Sequence, residues 1–333
     1  MINLYCFYTV LNFLIFTLIF EHCKNILKPF LYFFSALFLS YSSVAQRTFN
    51  AFDILDSNTI VPPNGIWLNG EFLDDSEVMN THYLEYLHFL SQDSSSNTLI
   101  RAYPDTNIFG VRHLKQLLKS TKNYYKNKNG KHIPLQTLTH DQNVHEPSHK
   151  HHWWNYFSYH GTKHFPVIGI SYEQALAYCA WRSKMVTTHF NDVLKKEKKY
   201  KAFADKKVLF EFSLPDELLW EKAAEDGLKI EEYPFGQKIG IDTLSHFNVT
   251  TKSGNPKKEP VECFYNSPNK NGFYNLIGNV AEMVKEKGKS KGGSFAHYLP
   301  DCQIRNAIPY TKPEKWLGFR CACKVKVEPL NKQ

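Results

Sequence analysis

Glycine spacing constrains this chain more than any other feature. Between residues 271 and 323 the sequence runs through NGFYNLIGNVAEM, KGGSFAH and WLGFRCAC, with Gly272, Gly278, Gly292, Gly293 and Gly318 separated by short apolar pieces. The intervals do not follow a helical period. They dictate a compact, irregular region whose backbone makes sharp turns and close approaches that only glycine allows. Asn275, Asn279, Glu282, Ser294, Arg305 and Arg320 interleave with the glycines. The rest of the chain is read as support for this region.

A length of 333 residues allows one large domain or two ordinary ones, and 43% hydrophobic with 15% aromatic residues is enough for a sizeable core. The formal charge of +8 is concentrated in residues 195–207, which hold Lys195, Lys196, Lys198, Lys199, Lys201, Lys206 and Lys207. This run reads first as a solvated face. A membrane surface or an acidic partner is the sharper alternative. No nucleic-acid-binding motif accompanies it, so nucleic acid is not an expected partner.

The first 45 residues differ in kind. Residues 5–20 are almost wholly apolar, and a second apolar run, 30–39, follows Lys24 and Lys28 and ends in Ser43-Val44-Ala45. A basic stretch, an apolar stretch of about ten residues and a small-x-Ala end are the parts of a secretory signal peptide. Residues 1–45 are therefore expected to be a signal peptide cut after Ala45, or an N-terminal membrane segment through which the protein associates with a bilayer. No cysteine follows the cleavage point, so a bacterial lipid anchor is not indicated. Export to the periplasm, the cell envelope or the medium makes disulfides plausible. Past the leader stand Cys179, Cys263, Cys302, Cys321 and Cys323, an odd number, so at least one is free or pairs between chains.

Residues 46–64 read as a linker, and Pro62-Pro63-Asn64-Gly65 as a turn before a short strand. A helix is expected over 77–90, with Asn80 as its cap, and another over 107–125. The histidine-rich stretch 141–164 (His145, His149, His151, His152, His160, His164) lacks the spacing of a helical metal pair and reads as a surface loop. Residues 166–170 read as a short buried strand. Ser171 and Gln174 then make a capping box that starts a helix carrying Ala175, Tyr178 and Cys179 on one face. Residues 186–210 read as a charged excursion. Asp216 caps a further helix that stops near Gly227. The fold class is α+β, one irregular domain over 65–325, with insertions near 126–160 and 187–210 and a tail over 326–333.

An ordered set of motifs now gains meaning: EVMN with Tyr83, PVIGISYEQALAYCAWRS, LPDELLWEKAAEDG, YPFG, NGFYNLIGNVAEM, KGGSF and LGFRCA. Together, over residues 66–324, they resemble the formylglycine-generating-enzyme, or sulfatase-modifying-factor, domain. Their wording is closest to the exported Bacteroidetes-type branch that includes gliding-motility lipoproteins. The resemblance implies an irregular variant of the C-type-lectin-like fold with little regular secondary structure. It also implies a disulfide between Cys179 and Cys321. It places a calcium site at Asn275, Gly278, Val280 and Glu282, through two side chains and two backbone carbonyls, the oxygen ligands that this hard cation prefers.

At the catalytic positions the pattern departs from the family. The enzyme uses two cysteines shortly after the GGS motif; they bind copper(I), and one forms a mixed disulfide with the substrate cysteine. Here the matching positions are His297 and Cys302. Ser294 matches a serine near the oxygen site, and Ala281 stands where the family has a tryptophan. An imidazole cannot form a disulfide, although a His/Cys pair retains some capacity for a soft metal such as copper. The expected function is an exported family member that lacks the cysteine-to-formylglycine oxidase activity and serves as a binding or envelope-assembly module for an envelope or secreted protein or a glycan. The alternative is a metal-dependent oxidase of cysteine or another sulfur substrate with an altered His297/Cys302 site.

Overall fold

A computed structural model describes residues 53–56, 59–93, 96–109, 156–157, 160–238, 247–250 and 259–330. The expected leader and most of the histidine-rich stretch lie outside the described residues, as does most of the helix expected over 107–125. The first strands are β1 (Asp53–Asp56), β2 (Thr59–Val61), β3 (Gly65–Leu68) and β4 (Glu71–Asp74). Helices α1 (Asn80–Asp93), α2 (Ser96–Ala102), α3 (Thr106–Phe109) and α4 (Tyr172–Leu194) follow. Strand β5 (Lys206–Ser213) and helix α5 (Glu217–Glu225) precede the short strands β6 (Ala281–Met283), β7 (Lys289–Lys291), β8 (Ile308–Pro309) and β9 (Leu317–Gly318). Strand β10 (Ala322–Pro329) closes the chain's described part. The result is a mixed α+β fold with few helices and small sheets, as the glycine pattern requires.

Local chemistry explains where the helices start. The Ser171 hydroxyl accepts from the Gln174 amide at 3.2 Å, and the Gln174 side chain accepts from the Ser171 amide at 2.7 Å, which is the reciprocal capping box expected for α4. Asp216 caps α5 by accepting from the Leu219 amide at 2.8 Å. Asp226, left-handed at φ 53°, ends α5 one residue before Gly227. Asn80 does not cap α1. The amides of Asn80 and Thr81 donate to the carbonyls of Phe165 and Lys163, so tertiary contacts satisfy the helix start. The Asn80 Nδ2 is instead buried and donates to the carbonyls of Thr162 and Tyr156.

The larger sheet runs β3-β4-β10-β5 and the smaller one β8-β7-β6-β9. Strand β10 pairs with β5 over eight residue pairs, from Ala322↔Ser213 to Pro329↔Lys206. This revises three sequence expectations. The tail at 326–333 is, through Pro329, the second half of a central strand. The excursion at 187–210 holds the last two turns of α4, a 3-10 turn (Lys198–Phe203) and most of β5. The linker at 46–64 contains the hairpin β1–β2. Along β5, Lys207 and Glu211 face water while alternate residues (Val208, Phe210, Phe212) are buried.

The outer edge of β5 is closed by the helix beside it. Ser183, Thr187 and Asn191 stand four residues apart on α4, so they share one stripe. Their side chains accept from the amides of Phe212 at 2.8 Å, Phe210 at 2.9 Å and Val208 at 3.1 Å. A strand edge that would otherwise present open donors is thereby paired.

Candidate functional site

The smaller sheet and its glycine turns bring most of the expected residues together. Strand β6 places Glu282 inward, parallel β9 lies beside it, and Gly278, Gly292 and Gly293 have φ of +83°, +82° and +70°. At Gly293 the need for glycine is absolute: a Cβ there would sit 2.1 Å from the Cys302 sulfur. The turn thus presses the GGS segment onto the thiol.

Ser294 is fully buried, and its Oγ lies 2.7 Å from His297 Nδ1. The same Oγ accepts from the Ala296 amide at 3.1 Å, leaving the hydroxyl proton for Nδ1. His297 packs edge-on against Trp316, with ring centres 4.7 Å apart. Partial burial holds its pKa below the usual histidine value, so the imidazole is neutral near pH 7. It acts here as a hydrogen-bond acceptor fixed between a serine and an indole.

Cys302 lies against the same glycine turn. It is buried in the apolar cluster of Leu219, Trp220 and Ile304, and its thiol donates to the Tyr298 carbonyl at 3.3 Å. Burial pushes its pKa up to about 12. Thiol exchange needs the thiolate, which this environment suppresses. No hydrogen bond joins His297 to Cys302. Among the described residues, no group of three or more His, Cys, Asp or Glu side chains could hold a metal ion. Ala281, at the tryptophan position, is buried opposite Leu317 in the strand pair and leaves no aromatic face there.

The residues expected to hold calcium form a protein-only network instead. Arg320, fully buried, donates from Nε to Glu282 Oε2 and from Nη2 to Glu282 Oε1, both at 2.6 Å. Trp220 Nε1 adds a bond to Oε2 at 2.8 Å. Asn275 Oδ1 accepts from Asn266, and its Nδ2 donates to the Cys263 carbonyl and to Glu77. A fixed guanidinium therefore occupies the carboxylate that calcium would need, and a dication would meet its charge at contact distance. As arranged, the Asn275 and Glu282 side chains are engaged by protein partners.

Glu77 is the site residue that sequence reasoning missed. It is buried beside Glu282 and Arg320, and its Oε1 accepts from Asn279 Nδ2 at 2.8 Å. Burial, reinforced by the Glu282 charge, raises its pKa to about 7. The residues it meets lie some 200 positions away, with a separation of 202 for Asn279, so the EVMN motif that Glu77 opens gave no sign of its partners.

Cys179 and Cys321 do meet. Their sulfurs are 3.7 Å apart and both are buried. The contact pins α4 to the start of β10.

Outside the His297–Trp316 pair lies an open cleft of about 600 Å³, bounded by Asp105, Phe295, Ala296, Lys312, Glu314 and Trp316. One wall is tied down by backbone bonds from Asp105 to the Gly169 carbonyl and from Gly169 to the Glu314 carbonyl. Aromatic and charged groups of both signs share this lining, a mixture suited to holding a ligand by packing and hydrogen bonds.

The family model for the sulfatase-modifying factor enzyme 1-like domain matches residues 42–325. The chain is 26% identical over 198 residues to the formylglycine-generating enzyme of Mus musculus, covering 49% of this chain and 45% of that protein. It is 31% identical over 179 residues to the inactive C-alpha-formylglycine-generating enzyme 2 of Bos taurus, covering 47% and 50%. The chain thus spans about half the length of these curated relatives. Among solved structures, Treponema denticola variable protein 1 aligns over 82% of this chain and 90% of its own, at 16% identity and a TM-score of 0.41.

Proposed function

Because the chain belongs to the sulfatase-modifying factor enzyme 1-like family, we propose that it is an exported member that has lost the cysteine-to-formylglycine oxidase activity and works as a binding module. The observation that carries this reading is the surroundings of the two catalytic positions. His297 is bonded to Ser294 and packed on Trp316, while Cys302 is sealed in the core with its pKa raised to about 12. A thiol that is buried and protonated is poorly placed to form a mixed disulfide with a substrate cysteine. The scaffold around it is intact, since Arg320, Glu282 and the glycine turns hold the segment in one geometry.

The ligand site of this module is the cleft beside Trp316, and its partner is an envelope or secreted protein or a glycan. Leader-like residues 1–45 and the motif wording of the Bacteroidetes-type branch support export. Loops held on a rigid frame are the part of such a fold that evolves recognition. The test is to load the protein with copper(I) without oxygen, admit oxygen with a cysteine peptide, and follow oxygen uptake. No stoichiometric copper and no uptake are expected. Turnover abolished by His297→Ala or Cys302→Ala would replace this reading with that of an altered His/Cys oxidase.

A further inference from the structure

We propose that the lysine-rich end of helix α4 is a docking surface for an anionic lipid bilayer. Between residues 195 and 207 seven lysines face two acids, Glu197 and Asp205. The side chains of Lys195, Lys196, Lys198, Lys201 and Lys207 are exposed, and none has an ion-pair or hydrogen-bond partner among the described residues. This contrasts with Lys222, Lys287, Lys291 and Lys326, each paired with a glutamate. The unpaired charge is not spread over a loose loop. Tyr200 and Phe203, both fully buried, anchor the 3-10 turn, with Tyr200 edge-on to Phe190 of α4. The cations are therefore presented on a fixed frame.

Two features select a bilayer over a discrete anion or an acidic protein. All the cations are lysines, point charges that suit a diffuse negative surface, with none of the forked guanidiniums that select a single phosphate or carboxylate. Beside them, Leu330 is about half exposed, and its amide is bonded to the Asp205 carbonyl. An exposed leucine among basic residues is the combination that enters the headgroup region. The surface is separate from the cleft at Trp316 and does not depend on what that cleft binds.

The experiment is a vesicle-sedimentation titration of the full chain on neutral phosphatidylcholine and on phosphatidylcholine with 30% phosphatidylglycerol (about one lipid in three), at low and physiological salt. A lysine near an anionic surface is worth about five-fold in partitioning. The quadruple variant Lys195→Gln, Lys196→Gln, Lys198→Gln, Lys201→Gln is expected to lose about a hundred-fold or more of the anionic-lipid binding. A control of equal charge change, Lys222→Gln, Lys229→Gln, Lys270→Gln, Lys287→Gln, should lose only a few-fold. Residues 1–45 are common to all three proteins, so any binding they contribute cancels. Equal losses in the two variants, no preference for the anionic lipid, or tighter salt-sensitive binding to an acidic polypeptide such as polyglutamate would each overturn the proposal.

Discussion

Arg320 and Glu282 form a two-pronged ion pair in the dry centre of the molecule, 2.6 Å at each prong, with side-chain exposures of 0% and 1%. The remaining Arg320 donors reach the carbonyls of Asp74, Asp75 and Tyr274. One guanidinium thus fastens β6, the strand β4 end and the glycine-rich loop together. Removing either partner leaves the other charge buried and unpaired, which costs about 3–5 kcal/mol. Arg320→Met is expected to lower the unfolding free energy extrapolated from urea by that amount, whereas the double variant Arg320→Met/Glu282→Leu should recover part of it. A double-mutant cycle in urea measures the difference.

The same pair makes a statement about calcium. With the Glu282 oxygens already bonded to Arg320 and Trp220, chelation should leave thermal stability unchanged. Calorimetric scans with excess EDTA and with millimolar calcium should superimpose. A Tm raised by several degrees in calcium would show that the network rearranges to admit the ion.

Gly293 and Cys302 are locked by contact. Gly293→Ala would place a methyl 2.1 Å from the sulfur and 2.9 Å from the Cys302 Cβ, at a φ of +70° that strains any side chain. The expected cost is about 3 kcal/mol. Because the Cβ contact survives truncation of the thiol, adding Cys302→Ala should rescue only part of this loss. Equilibrium denaturation of the two variants distinguishes partial from full rescue.

Cys179 and Cys321, with sulfurs 3.7 Å apart, are placed to cross-link once oxidised to a bond of about 2.05 Å. The link would close a loop of 142 residues and stabilise the fold by about 3–5 kcal/mol. Peptide mapping without reductant, after treatment with a glutathione redox couple, should recover the 179–321 pair and leave Cys302 as a thiol.

Asn191 exchanges two hydrogen bonds with Val208, accepting from its amide and donating to its carbonyl. Asn191→Ala should cost about 2 kcal/mol and open the β5 edge. The measurable consequence is concentration-dependent self-association in sedimentation, absent from the parent protein.

Much of this was legible in the residues themselves. Ser171 with Gln174 and Asp216 are local signals, and each caps its helix as expected. The glycines of NGFYNLIGNVAEM and KGGSF sit at positive φ because the chain there makes contacts that a Cβ would block. The strand at Lys206–Ser213 was hidden by its own lysines, although burial alternates at Val208, Phe210 and Phe212. Its partner in β10 lies more than a hundred residues away, and register across that distance leaves no mark in either segment. The polar centre was half legible. Asn275 and Glu282 were singled out by motif, but their true partners, Glu77 and Arg320, are set by tertiary packing.

The most direct measurement is the mass of a cysteine-containing peptide after incubation with the copper-treated protein, a thiol reductant and oxygen. With Cys302 walled into the core and His297 held by Ser294, the peptide should return unchanged, its cysteine still alkylable. Conversion of that cysteine to an aldehyde, trapped as a hydrazone and lost in Cys302→Ala, would contradict the loss of oxidase chemistry.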